Sequence, residues 1–271
     1  MGFREFPPDV SEQFVSLGDT TLYVRRLSAA SARTPSNTPV LIFLHDSLGC
    51  VDTWRDFPDE LARRVELNAM IYDRQGYGRS SPFGSASRTP EYLEVEATVL
   101  FTLLDALAID TVVLFGHSDG GSIALIAAAM RPERVAAVVT EGAHVFVDEV
   151  TLAGIRATQA ALETTDLRAR LARYHGEKVQ AVLDAWTDTW LSSAFRSWNI
   201  ERYLSAIACP LLAIQGQDDE FGTVAQVHAI IDGVGATADL LLIPGVGHTP
   251  HREARDEVLA SATAFIRAAE R

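Results

Sequence analysis

Apolar residues recur along the chain in two rhythms. Short continuous runs at 40–44, 68–72, 111–115, 135–140, 211–215 and 240–243 have the length and content of strands buried on both faces. Between them, residues 53–65, 90–108, 121–130, 223–234 and 252–269 carry apolar side chains at helical spacing. Strand alternating with helix predicts an α/β protein with a doubly wound, mostly parallel sheet. Two alternating segments, 13–17 and 20–27, meet at Gly18-Asp19 ahead of the first run and read as an antiparallel hairpin. Residues 29–39, rich in Ser, Ala, Pro and Asn, read as a loop.

One segment breaks the alternation. Residues 148–205 contain no buried-strand run, only helix-forming stretches that hold Tyr174, Trp186, Trp190, Phe195, Trp198 and Tyr203. They read as a helical cap inserted after the sixth strand into a core domain made of 1–147 and 206–271. The insertion lacks a core large enough to make it an independent domain.

Composition narrows the function classes. With 271 residues and 48% hydrophobic content the chain can bury a sizeable core, and it is not a disordered polymer. A net charge of −13 opposes binding to nucleic acid or to an anionic membrane surface. Cys50 and Cys209 have neither disulfide nor metal-ligand spacing. The first ten residues hold no signal-peptide core, and no apolar run approaches the ~18 residues of a membrane span. The expected protein is therefore soluble and cytoplasmic. It has no glycine loop for phosphates and no metal-ligand cluster, so no cofactor is expected and the partner is a small-molecule substrate. The sequence sets no oligomeric state.

The chemistry is concentrated at Gly116-His117-Ser118-Asp119-Gly120, between a strand run and a helix run. A serine thrust from a sharp strand-to-helix turn needs neighbours without side chains two positions away on either side. The turn also sets Ser118 at a helix N-terminus, whose N–H groups favour a developing oxyanion. This stretch resembles the nucleophile elbow of the α/β-hydrolase superfamily, and the similarity runs over essentially the whole chain. Ser118-Asp-Gly-Gly and Gly142-Ala-His-Val resemble more locally the valacyclovir-hydrolase-like and proline-iminopeptidase-like branches.

The resemblance implies a catalytic set in the order Ser118, Asp219, His248. A serine hydroxyl needs a neighbouring base. His248 follows the last strand run through a glycine-containing loop, with His251 as the alternative. His117 is expected to point away from the site, and His175, His228 and His251 to be solvated at the surface. The family pattern places the acid at Asp219, while Asp218 and Glu141 stay open. Backbone N–H groups of Ser47 and Asp119 would form the oxyanion hole, although Asp46 stands where the family has glycine. The turn from Asp73 to Ser80 would be structural.

Trp54, Phe146, Trp186 and Trp190 are expected to bind substrate beneath the cap, with Phe57, Phe195, Trp198 and Phe221 as further candidates. They imply a small or medium apolar acyl or alcohol group. The first function is thus a serine hydrolase acting through an acyl-enzyme, a carboxylesterase. A second is C–C hydrolysis of meta-cleavage products, or enol-lactone hydrolysis, with Arg55, Arg74 and Arg196 as candidate cations. A third is a non-catalytic small-molecule receptor. The Asp119 carboxylate either caps the following helix or contacts a cap hydroxyl, or it binds a substrate ammonium such as that of an amino-acid ester.

Overall fold

β1 (Asp9–Leu17) and β2 (Thr20–Ser28) fold back on each other at Gly18, whose φ of 62° closes the turn, and pair antiparallel along their whole length. The computed structural model describes residues 9–29, 38–84 and 88–270. Most of the expected loop at 29–39 and of the N-terminal ten residues lies outside the described residues. The hairpin is longer than its hydrophobic alternation implies. Asp9, Ser11 and Glu12 extend the first strand by ladder bonds, with Glu12 also accepting from Arg79, on an exposed edge where the pattern carries no signal.

The apolar runs form β3 (Val40–Leu44), β4 (Ala69–Tyr72), β5 (Val112–His117), β6 (Val135–Glu141), β7 (Leu211–Gly216) and β8 (Ala238–Ile243). They form one eight-stranded sheet in the order β1-β2-β4-β3-β5-β6-β7-β8. The first two pairings are antiparallel and the rest parallel. Crossing helices bury β3 to β7 on both faces, which is why those strands read as unbroken apolar runs, whereas β8, at the sheet edge, leaves Leu240 exposed and is not buried as its run implies. α2 (Tyr92–Ala106), α3 (Asp119–Met130) and α8 (Val224–Val234) pack one face, and α1 (Phe57–Val65) and α10 (Arg255–Ala269) the other.

Two expected helices are each broken in two. A 3-10 turn over Val51–Trp54 precedes α1, because Arg55 takes φ 55°, ψ −128° and a proline opens the new helix. At the other end, Ala254 (φ −129°, ψ 43°) separates α9 (Pro250–Glu253) from α10.

Between β6 and β7 the chain forms α4 (Glu149–Thr164), α5 (Leu167–His175), α6 (Val179–Trp190) and α7 (Glu201–Leu204). Trp186, Trp190, Phe195 and Trp198 join the core cluster that the sheet shares with α2 and α3, so these helices have no separate core. Asp148 fastens the start of the insertion. It caps α4 by accepting from the Thr151 N–H, and it also accepts from Thr223 and Gln226 at α8.

The C-terminal ends of β3, β5, β6, β7 and β8 converge on one side, where a parallel sheet presents its loops. The tightest contact there is at Gly120, where an added Cβ would meet the Leu44 carbonyl oxygen at 1.9 Å. Gly120→Ala is therefore expected to push α3 off β3 and cost about 1–3 kcal/mol or more. Urea unfolding measures this as a lower midpoint at unchanged slope. A midpoint equal to that of the wild type would contradict such close packing.

Candidate active site

Ser118 sits between β5 and α3 at φ 55°, ψ −119°, a conformation that costs an L-residue on the order of 1–3 kcal/mol. Its N–H donates to the Glu141 carbonyl at 2.8 Å, and its own carbonyl accepts from Gly121 and Ser122. A Cβ at Gly116 would meet the Gly120 carbonyl oxygen at 2.2 Å, so the spacing seen in the sequence is a requirement of contact.

Asp219 lies in the loop after β7 and His248 in the loop after β8. His248 Nδ1 is 2.9 Å from both Asp219 carboxylate oxygens. Asp219 also accepts from the Phe221 and Gly222 N–H groups and from Gln215. Burial works to raise its carboxyl, but the His248 hydrogen bond and charge outweigh that and hold it below the ordinary carboxylate range. With Nδ1 on the carboxylate, His248 Nε2 has no other hydrogen bond among the described residues. Asp218 is exposed, and Glu141 pairs with His251 Nδ1 at 2.7 Å, so neither touches the His248 ring.

The loop after β3 supplies the opposite wall. Arg74 Nη2 donates to the Asp46 carbonyl at 2.8 Å, and Asp46 Oδ1 accepts from the Leu48 N–H at 2.8 Å. Between them the Ser47 N–H has no acceptor among the described residues. The same holds for the Asp119 N–H at the start of α3. Asp73 ties the following turn by accepting from the Val51 and Arg79 N–H groups, as a structural residue would.

Ser118, His248 and Ser47 line one cavity of about 170 Å³, roughly the size that takes a benzene ring. α4 contributes Thr151, Ile155 and Thr158, and α6 contributes Trp186 and Trp190, with Phe221 alongside. The two tryptophans thus stand where the sequence placed them. Trp54 does not: it packs under the sheet, with ring centroids 5.4 Å from Phe43 and 4.7 Å from His251. Phe146 pairs its backbone with Asn199 and faces a surface groove beside Glu201 and Val224.

The Asp119 carboxylate requires a further correction. It is 1% exposed and does not line the cavity. Tyr92 donates to it at 3.0 Å, Trp190 Nε1 donates to the same Tyr92 hydroxyl at 3.0 Å, and Arg74 Nη1 lies 3.6 Å away. Its charge is therefore met from inside the protein, and the Tyr92 bridge fixes the Trp190 wall. A substrate ammonium is not needed to balance it.

His175 and His251 also depart from expectation, since both are buried. His175 accepts from the Gly78 N–H and bonds the Leu48 carbonyl through its other nitrogen. Of the candidate cations, Arg74 is spent on Asp119 and the Asp46 loop, and Arg196 on Glu149. Sequence reasoning missed Asp46, His144 and Arg252 as lining residues. His144 follows β6 by three positions and bonds the Phe221 carbonyl through Nε2 at 2.9 Å. Its place just past a strand end was the available signal.

Comparison with known proteins agrees with this architecture. Residues 39–177 match the family described as alpha/beta hydrolase fold. The chain is similar to the serine hydrolase BPHL of Homo sapiens, 29% identical over 86% of this chain and 81% of that protein. It is 30% identical to the Mus musculus protein of the same name, over 80% and 75% respectively. Among solved structures, serine hydrolase CCSP0084 from Cycloclasticus zankles superposes with a TM-score of 0.78 at 17% identity, covering 95% of this chain and 98% of that one. The chain belongs to the α/β-hydrolase family.

Arg74→Met would leave Asp119 buried without its cation and is expected to destabilise the fold by about 3–5 kcal/mol. Adding Asp119→Asn is expected to recover part of that loss, since it removes the stranded charge. Denaturant midpoints of the two variants test this. A double variant no more stable than Arg74→Met would show that the pair is not coupled.

Proposed function

We propose that this protein is a carboxylesterase that works through an acyl-enzyme on Ser118. The observation that carries the reading is the Asp219–His248 pair, at 2.9 Å, opening on the cavity that holds the Ser118 hydroxyl. Ser118 Oγ attacks the ester carbonyl while its proton passes to His248 Nε2. Asp219 stabilises the imidazolium so formed and holds its tautomer. The Ser47 and Asp119 N–H groups receive the oxyanion. The tetrahedral intermediate then expels the alcohol, which takes the proton from His248, and water hydrolyses the acyl-enzyme by the same path. Among the described residues no group of three or more His, Cys, Asp or Glu side chains is placed to hold a metal ion.

The cavity volume favours acyl groups up to about one aromatic ring. Residues 148–205 act as a cap, with α4 and α6 forming the roof. Free, buried Cys50 and Cys209 suit a cytoplasmic protein. Among the described residues no helix is long and apolar enough to cross a membrane.

Arg252 favours a second reading. It is the one arginine or lysine among the residues lining the cavity, held by donation to the Thr53 carbonyl at 2.6 Å. A substrate carboxylate, as on a meta-cleavage dienoate, would find its partner there.

Turnover of a 4-nitrophenyl ester series, alongside a dienoate, tests both readings. Acetyl to benzoyl esters are expected to be hydrolysed faster than long-chain ones, Ser118→Ala to abolish turnover, and Asp219→Asn to lower it by about 10⁴. Turnover of the dienoate but not the esters would favour the second reading, and turnover of neither a receptor. A separate measurement addresses the cap. Amides of α5, which is largely exposed, are expected to exchange with solvent faster than those of β5. Equal protection would contradict a cap that opens.

A further inference from the structure

His117, next to the nucleophile, is 4% exposed and has no part in the proton path above. Its Nε2 lies 2.8 Å from the His248 carbonyl oxygen. A carbonyl only accepts, so Nε2 carries a hydrogen. Its Nδ1 lies 3.5 Å from Asp46 Oδ2 and has no hydrogen-bond partner among the described residues. A neutral ring would therefore point the Nδ1 lone pair at a carboxylate, beside the cavity that both residues line. A second ring proton turns that repulsion into an ion pair.

We propose that His117 is an imidazolium clip, a positioning residue that binds the Asp46 carboxylate through Nδ1–H and the His248 carbonyl through Nε2–H. It rests on the reading of Ser118 as nucleophile, and it deepens that reading. Asp46 immediately precedes the Ser47 oxyanion donor, and its carboxylate folds back over Gly49, where a Cβ would meet Oδ2 at 2.5 Å. The clip thus spans the loop that carries one oxyanion donor, the elbow that carries the nucleophile and the loop that carries the base. It sets their spacing before any substrate arrives, which is where preorganised donors are worth most.

The groups facing His117 agree on its charge. Asp46 faces it from the loop after β3, and Glu141, at the end of β6, adds a second negative charge nearby. The rings of His248 and His251 each lie 5.1 Å away. Burial holds His251 below its ordinary value even with Glu141 beside it, so it competes little for the proton. Burial also works to lower His117, but Asp46, Glu141 and the His248 carbonyl outweigh it and raise it. Asp46 is held well below the carboxylate range: burial works to raise it, and His117 prevails. With His117 raised, its contribution to stability is complete below the unfolded histidine value and is lost as pH rises through the folded one.

The test is a ¹⁵N histidine titration of the whole chain, with His117 assigned through ring-to-backbone correlations in the wild-type protein, together with kcat against pH on an aryl ester. Both His117 ring nitrogens are expected to stay protonated to higher pH than in a free imidazole, which loses its second proton near ~6.5. Asp46→Asn keeps the acceptor for the Leu48 N–H and removes the charge. It is expected to move the His117 titration, and the alkaline limb of kcat, down by about one pH unit or more. His117→Gln is expected to abolish that limb and to weaken a boronic-acid transition-state analogue at least tenfold, with KM little changed. A His117 that loses its second ring proton no later than a free imidazole, or an alkaline limb unmoved in Asp46→Asn, would overturn the clip. The titration needs only the wild-type protein, so it decides the proposal even if the variants do not fold. Ester turnover that survives Ser118→Ala would instead overturn the functional reading and leave the titration result standing.

Discussion

Everything at this site hangs on one backbone conformation, the positive φ of Ser118 at the junction of β5 and α3. The chain turns there too sharply for side chains at Gly116 and Gly120, where a Cβ would run into the Gly120 and Leu44 carbonyl oxygens respectively. The sheet pins the strained residue from both sides, through the Ser118 N–H to Glu141 and the parallel pairing of β5 with β3 and β6. That order of dependence runs one way. The sheet could exist without the elbow, but the elbow needs the sheet to hold a conformation that costs free energy.

A second constraint is electrostatic. The chain carries a net charge of −13 and still gathers four carboxylates around the place where an oxyanion would form. Each has its own partner: Asp219 with His248, Glu141 with His251, Asp119 with Arg74 and Asp46 with His117. An unpaired carboxylate beside the oxyanion hole would raise the barrier to attack. Arg74 meets the Asp119 charge from inside the protein, and the four contacts together tie separate loops into one frame. The Asp119 pair reaches further, because its Tyr92 bridge also fixes Trp190 in the cavity wall.

Much of this was legible in the sequence, and the boundary has physical reasons. Strands buried on both faces announce themselves as unbroken apolar runs, and the elbow announces itself because sterics dictate its glycine spacing. The polar outer strand of the hairpin was cut short because its stability comes from backbone ladder bonds, which leave no hydrophobic trace. Trp54 and Trp190 look alike in sequence, yet one packs under the sheet and the other walls the cavity. The partner of Asp119 is not legible because its cation, Arg74, comes from the turn after a different strand. His251 read as a surface histidine for the same reason, its Glu141 partner being distant along the chain.

The central claim is that Ser118 is the nucleophile, and covalent labelling tests it most directly. A fluorophosphonate allowed to react with the folded protein is expected to add its mass once, on the peptide that contains Ser118, and to stop turnover in proportion. Modification of a different residue, or full activity retained in protein labelled at Ser118, would contradict the account.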